Sequence, residues 1–221
     1  MKKNFIEKLE NEKLIDRYPF LQPRSIRTGE IPEDFNYDYC CLKDEIPDGW
    51  WKKFGVLWCE DFLNVCKESN IDASKIYIVQ AKEKFGQLRV YLNGYPNKWH
   101  DHEYAWDYIS EHTCIKCGKF PVKMRNDGWI SPWCDDCFKE QHQKLSDAQL
   151  KMCDYDDIFK GRLVEYIKYQ ITEKNKYGDY ETRNVYVDMK PYYRLLNYDM
   201  KDIVSKEEMD KVFSERNDEE E

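Results

Sequence analysis

The sequence predicts an α+β fold: a helix-plus-β-hairpin N-terminal module, a treble-clef-like four-cysteine finger, and a C-terminal β-hairpin and helix. Three observations predict it. Apolar residues at 51, 54, 58, 62, 65 and 66 keep helical spacing, and two strand-like runs follow between Lys75 and Leu92. Two Cys-x-x-Cys pairs, Cys114/Cys117 and Cys134/Cys137, are separated by sixteen residues. Beyond Leu150, two alternating runs and a capped amphipathic stretch close the chain. The expected divisions are 1-112 for the N-terminal module, 113-150 for the finger, 151-204 for the hairpin region, and 205-221 for the last helix and acidic tail.

The first element is a short amphipathic helix over Phe5 to Ile15, with apolar side chains at 5, 6, 9, 14 and 15, ending before Tyr18-Pro19. Pro19 to Gly49 is rich in proline and turn formers and reads as irregular, with room for one short strand. Asp48 is the expected N-cap of the helix Trp50 to Ser69. The two runs of the following hairpin meet near Lys84-Phe85-Gly86. His100 to His112 reads as a helix with Tyr104, Tyr108 and Ile109 on one face. Past the finger, Leu163 to Thr172 and Asn184 to Met189 alternate like strands around Lys176-Tyr177-Gly178-Asp179. Ser205-Lys206-Glu207-Glu208 then fits a capping box before Met209, Val212 and Phe213.

Composition sets further bounds. Seven Trp, 17 Tyr and 10 Phe in 221 residues mean that aromatic rings supply much of the core. No apolar run approaches the roughly 18 to 20 residues of a membrane span, and the start MKKNFIEKLENEKL lacks the apolar stretch of a secretory signal. An intracellular, cytoplasmic address without membrane contact is expected. Of the net charge of −8, most lies in the last 21 residues, which hold 4 basic and 9 acidic side chains. The body is close to neutral, so charge neither supports nor excludes nucleic acid.

Nine cysteines without an export signal read as reduced thiols. Two residues between the thiols of each pair let both reach one ion from a tight turn, and two pairs complete the tetrahedral sulfur shell that zinc prefers. The expected ligands of one structural Zn(II) are Cys114, Cys117, Cys134 and Cys137. Gly118 suits the knuckle turn, Phe120 to Met124 and Trp129 to Trp133 read as strands around Arg125-Asn126-Asp127-Gly128, and a helix through Leu145 starts beside the second pair. A closed four-thiolate site leaves no position for water or substrate and is structural. Cys40, Cys41, Cys59, Cys66 and Cys153 show no such spacing, and Cys59 and Cys66 read as small core residues.

No catalytic residue is assigned. His100, Asp101 and His102 are the tightest cluster of catalytic types, but HNH-type nucleases carry their histidine on the finger's own hairpin, and this hairpin has none. A phosphate loop, a nucleophile elbow and a His-Glu-x-x-His pair are all missing. Lys119, Lys123 and Arg125 beside Trp129 and Trp133 form a basic, aromatic set that a nucleic-acid or protein contact would use. The competing reading is that the cations balance a zinc-thiolate core and the tryptophans cover it.

Tyr18-Pro19-Phe20-Leu21-Gln22-Pro23-Arg24, Asp48-Gly49-Trp50, the hairpin Glu83-Lys84-Phe85-Gly86-Gln87-Leu88-Arg89-Val90-Tyr91, and the two cysteine pairs with Gly128-Trp129-Ile130 together resemble a set of small, largely uncharacterised phage and prophage proteins. The likeness covers about residues 18 to 140, and its most specific part is the Phe-Gly-x-Leu-Arg-x-Tyr hairpin. It implies a viral or mobile-element origin and transfers no catalytic residue. The resulting expectation is a zinc-stabilised phage accessory protein that binds a bacterial host protein, as an inhibitor of a defence effector. The alternative is a nucleic-acid-binding zinc finger, and a third reading is a DNA-processing enzyme.

Overall fold

The computed structural model describes residues 3–126, 129–142, 149–150, 159, 162–174 and 180–219. Helix α1 (Phe5–Arg17) starts at a capping box in which the Asn4 side chain accepts from the Glu7 N–H at 3.0 Å and Glu7 accepts from the Asn4 N–H at 2.8 Å. Its expected apolar stripe is largely uncovered, because Phe5, Ile6 and Leu9 are exposed. The helix is instead anchored by buried Ile15 and by Asn11, which donates to the Tyr37 carbonyl at 2.8 Å and accepts from Lys43 at 2.9 Å. A 3-10 turn at Pro19–Leu21 delivers Phe20 and Leu21 to the core. Residues 22–47 contain no strand.

A helical turn at Asp48–Trp50 runs through a π-type turn, Trp51–Gly55, into helix α2 (Val56–Glu68). Asp48 is the first helical residue and not the N-cap, a position taken by Pro47 without any side-chain bond. The cap comes from elsewhere: the Gly49 N–H donates to the Ile115 carbonyl of the finger at 2.8 Å, satisfying one of the orphan donors of a helix start.

Strands β1 (Ile78–Lys84) and β2 (Gln87–Leu92) pair antiparallel, with Lys84 opposite Gln87. Phe85 and Gly86 both have positive φ, 55° and 84°, as a two-residue hairpin turn requires. Helix α3 (Trp99–Glu111) buries Trp99, Ala105, Trp106, Tyr108 and Ile109, a wider face than Tyr104, Tyr108 and Ile109 alone, and Tyr104 is only half-buried. The core between α2, α3 and the 3-10 turn is aromatic. Phe62 meets Phe20 edge-on at 4.9 Å and Trp99 at 4.8 Å, and stacks on Trp58 at 5.4 Å. Such pairs add about 0.5–1.5 kcal/mol each beyond burial.

The finger follows. Strands β3 (Lys123–Asn126) and β4 (Ile130–Trp133) form its hairpin, and helix α4 (Asp135–His142) begins beside the second cysteine pair. The first strand starts at Lys123 instead of Phe120, since Pro121 has no N–H to give a ladder. Arg125 and Asn126 pair with Ser131 and Ile130, so they belong to the strand and not to the turn. A short strand β5 (Gln149–Leu150), absent from the sequence expectation, adds to β3 in the order β4-β3-β5. The turn positions Asp127 and Gly128 and the helix extension to Leu145 lie outside the described residues.

The chain falls into two compact units, Met1–Lys151 and Met152–Glu221. Segments 1-112 and 113-150 thus share one unit, and 205-221 lies with the hairpin in the other. In the second unit, β6 (Tyr166–Lys174) and β7 (Tyr180–Asp188) pair over nine positions, and a parallel bridge joins Val164 to Val204. The connection at Lys176 to Asp179 is outside the described residues. Helix α5 (Lys190–Leu195), not expected from sequence, buries Tyr192 and Tyr193, and the Tyr193 hydroxyl donates to the Val164 carbonyl at 2.8 Å. Helix α6 (Lys206–Glu219) follows Ser205, whose Oγ accepts from the Glu208 N–H at 3.2 Å. The capping box is only half made, because the Glu208 carboxylate pairs with Arg162 at 2.7 Å.

Candidate metal centre

Cys114 and Cys117 lie on the knuckle between α3 and the finger hairpin, Cys134 directly follows β4, and Cys137 sits in the first turn of α4. The knuckle is closed by backbone bonds: the Cys114 N–H donates to the Lys119 carbonyl and the Gly118 N–H to the Cys114 carbonyl, both at 3.0 Å. Gly118 has φ 78°, and a Cβ there would fall 2.7 Å from the Gly49 carbonyl oxygen. Gly49 is packed as closely from the other side, since its own Cβ would fall 2.2 Å from the Cys114 carbonyl oxygen. The helical turn Asp48–Trp50 that leads into α2 is therefore seated on the knuckle, and Trp50 Nε1 donates to the Thr113 carbonyl at 2.8 Å.

The four sulfurs lie within 4.8 Å of one another, and Cys117 Sγ is 3.6 Å from Cys134 Sγ. Tetrahedral thiolates at about 2.3 Å from an ion stand about 3.8 Å apart, so the donor set fits one metal ion with small adjustment. Cys114, Cys134 and Cys137 are buried and Cys117 is exposed. Burial opposes ionisation of Cys114, yet hydrogen bonds from the backbone of Cys134, Cys117 and Lys116 bring its thiol below the ordinary value. The Cys137 thiol is pushed up, first by burial and then by Cys134 and Cys117. The Cys114 thiolate is thus favoured over those of Cys134 and Cys137, and a bound cation supplies what ionises them.

Trp133 packs against the cysteine cluster and Arg125 is buried, pairing with Asp135 and lying 4.9 Å from the Phe138 ring centre. These two candidate contacts are therefore internal parts of the finger. Their role follows from register: Lys123, Arg125 and Trp133 share the face opposite Met124 and Pro132. Lys119, Lys123 and Trp129 are exposed. Trp129 points to a partner the sequence did not suggest, stacking on Phe85 of the β1–β2 turn at 6.0 Å and donating from Nε1 to Glu83 at 3.2 Å. The usable signal was Phe85-Gly86 itself, a bulky ring where a hairpin turn favours Asn.

His102 stacks on Trp99 at 5.6 Å and its Nδ1 lies 2.9 Å from Asp61, which also accepts from Trp106 Nε1 at 2.8 Å. It is held by these partners at the end of the core and is not a bare surface residue. His100 lies 3.7 Å from Glu103. Burial pushes the thiols of Cys40 and Cys41 up to about 12 and that of Cys66 up to about 11, and raises that of Cys59 as well, which fits inert core residues. Cys153 lies outside the described residues. Among the described residues, the four finger cysteines are the one group placed to hold a metal ion, and no helix is long and apolar enough to cross a membrane. Comparison with protein-family profiles, curated proteins and solved structures finds no match to this chain.

Proposed function

We propose that the chain is a zinc-stabilised phage accessory protein that binds a protein of its bacterial host, in the host cytoplasm, as an inhibitor of a defence effector. Zinc is the ion that four thiolates at this spacing favour, and a closed shell gives it folding work and no catalytic position. Function then lies on surfaces. The resemblance in residues 18 to 140 supplies the phage setting.

The observation that carries the protein-binding reading is the β6–β7 ribbon. Its base is anchored by buried Ile167 and Val187, whereas Gln170, Thr172, Thr182 and Asn184 are exposed, as are Tyr180 at 71% and Tyr186 at 55%. Tyrosines bring large contact area at low entropy cost, and Asn, Gln and Thr bring adaptable hydrogen bonds. In the same unit α6 adds exposed carboxylates such as Glu207, so a basic protein surface is the complementary partner. The test is capture from nuclease-treated bacterial lysate by wild type and by Tyr180→Ala/Tyr186→Ala. A host protein held stoichiometrically by wild type and lost by the double variant is expected. Equal capture by both, or capture that nuclease abolishes, refutes the reading.

A further inference from the structure

The solvent face of the β1–β2 hairpin carries rings and cations in series. The Lys82 ammonium lies 5.3 Å from the ring centre of Tyr91, and the Lys84 ammonium 5.6 Å from that of Phe85. Phe85 then stacks on Trp129 with 30° between the ring planes. Tyr91, Phe85 and Trp129 are 47%, 56% and 57% exposed. Tyr91 stands opposite Gln80. At about 3.3 Å per residue, the stripe therefore runs about 17 Å from that position to Phe85 before it reaches Trp129.

Phe85 is the informative residue. It takes φ 55° in a turn where Asn is favoured and a bulky side chain is strained, and its exposure returns little hydrophobic stabilisation. A ring that suits neither the turn nor the core is explained by use at the surface. The adjacent carboxyl groups are engaged: Glu83 accepts from Trp129 Nε1 and from the Gly86 N–H at 2.6 Å, and Asp107 accepts from the Arg89 guanidinium. The stripe therefore offers ring faces and ammonium groups.

We propose that Tyr91, Lys82, Lys84, Phe85 and Trp129 form a binding site for single-stranded nucleic acid. Unpaired bases stack on Tyr91 and on the Phe85–Trp129 pair, and the phosphates between them meet Lys82 and Lys84. Base identity matters little, because stacking uses the ring faces and the Trp129 N–H is already bonded to Glu83. A duplex, whose bases are stacked on each other, cannot use the rings. This site spans two hairpins of the first unit, whereas the β6–β7 ribbon belongs to the second.

The test is fluorescence anisotropy at low salt with a labelled oligothymidylate of about twenty nucleotides, the zinc-loaded full chain and its variants. Phe85→Asn and Trp129→Ala are each expected to weaken binding roughly 5- to 150-fold, the range of one base-ring stack. Lys82→Ala and Lys84→Ala should each flatten the logarithmic salt dependence by about 0.7. Phe85→Asn should melt close to wild type, since the turn strain that Asn relieves offsets the lost Trp129 stack, which separates lost binding from lost folding. Absence of binding by wild type, equal affinity for a duplex of the same length, or wild-type affinity in Phe85→Asn overturns the proposal. So does a protein partner lost in Phe85→Asn without any oligonucleotide binding.

Discussion

Gly49→Ala tests whether the metal knuckle and the helical turn Asp48–Trp50 that leads into α2 fold as one piece. The new Cβ would fall 2.2 Å from the Cys114 carbonyl oxygen and 2.7 Å from both the Gly118 nitrogen and the Ile115 carbonyl carbon, all backbone atoms that no rotamer moves. The knuckle must lift. That breaks the Gly49 N–H bond to the Ile115 carbonyl and pulls the Thr113 carbonyl from the indole N–H of fully buried Trp50. A lost hydrogen bond costs about 1 kcal/mol and a stranded buried donor about 1–3. Overpacking adds about 1–3 kcal/mol. Against these, Ala favours a helix over Gly by only about 0.5–1 kcal/mol. The clash wins, and a net loss of about 2–6 kcal/mol is expected from a typical total of about 5–15. Urea unfolding followed by tryptophan fluorescence measures it, and release of metal to a chromophoric chelator should quicken in parallel, because the knuckle carries two of the four ligands. A variant within about 0.5 kcal/mol of wild type, with unchanged metal retention, would refute the reasoning.

Cys134→Ser should release the metal and unfold the finger, since ligand loss removes folding free energy directly; a cooperative melt in a metal-free variant would count against a structural ion. Metal retention should fall with falling pH, because protons compete for thiols of which Cys137 is held above the ordinary value by burial; chelator release that is flat with pH would contradict this. Burial pushes the Asp107 carboxyl from 3.8 up to about 8 although Arg89 lies beside it. Between those values the folded protein keeps a proton that the unfolded chain has lost, so stability should decline as pH rises through that window, and Asp107→Asn should remove this decline. A wild-type-minus-variant difference in melting that stays constant over the window would be the opposite result. Phe62→Ala, which removes a ring packed on three others, should cost about 3–5 kcal/mol by urea unfolding.

Local signals made much of the fold legible. The 3.6-residue spacing of apolar side chains from Trp51 to Cys66 located α2, and the alternation around Phe85-Gly86 located the first hairpin. Signals that depend on distant partners were the ones that misled. Asp48 reads as an N-cap in isolation, yet the Ile115 carbonyl, 67 positions later, already serves that helix start. The Phe5, Ile6 and Leu9 stripe reads as a buried face, yet buried Asn11 supplies the anchor through Tyr37 and Lys43, and a polar residue carries no weight in a hydrophobic pattern. Strand β5 is two residues long and is defined only by its pairing with Arg125 and Asn126.

The ligands themselves were legible because chelation from a tight turn imposes a spacing that survives in the sequence. The contact residues were not, since composition cannot separate a cation that faces solvent from one that faces a ring. Arg125 and Lys123 lie two positions apart on the same face of β3, but one is buried between Asp135 and Phe138 and the other is exposed. The same point governs the joins between the finger and the helix-and-hairpin module, which bring together residues far apart in the chain: Gly49 on Gly118, Gly86 against Met124, and Phe85 on Trp129. Each contact joins the finger to the helix-and-hairpin module, so metal binding energy is expected to stabilise both, and the Phe85–Trp129 stack should loosen when the metal is removed. A chelator-induced change in Trp129 emission, absent in Phe85→Ala, would show that coupling; an unchanged stack in the metal-free protein would restrict the ion's influence to the knuckle.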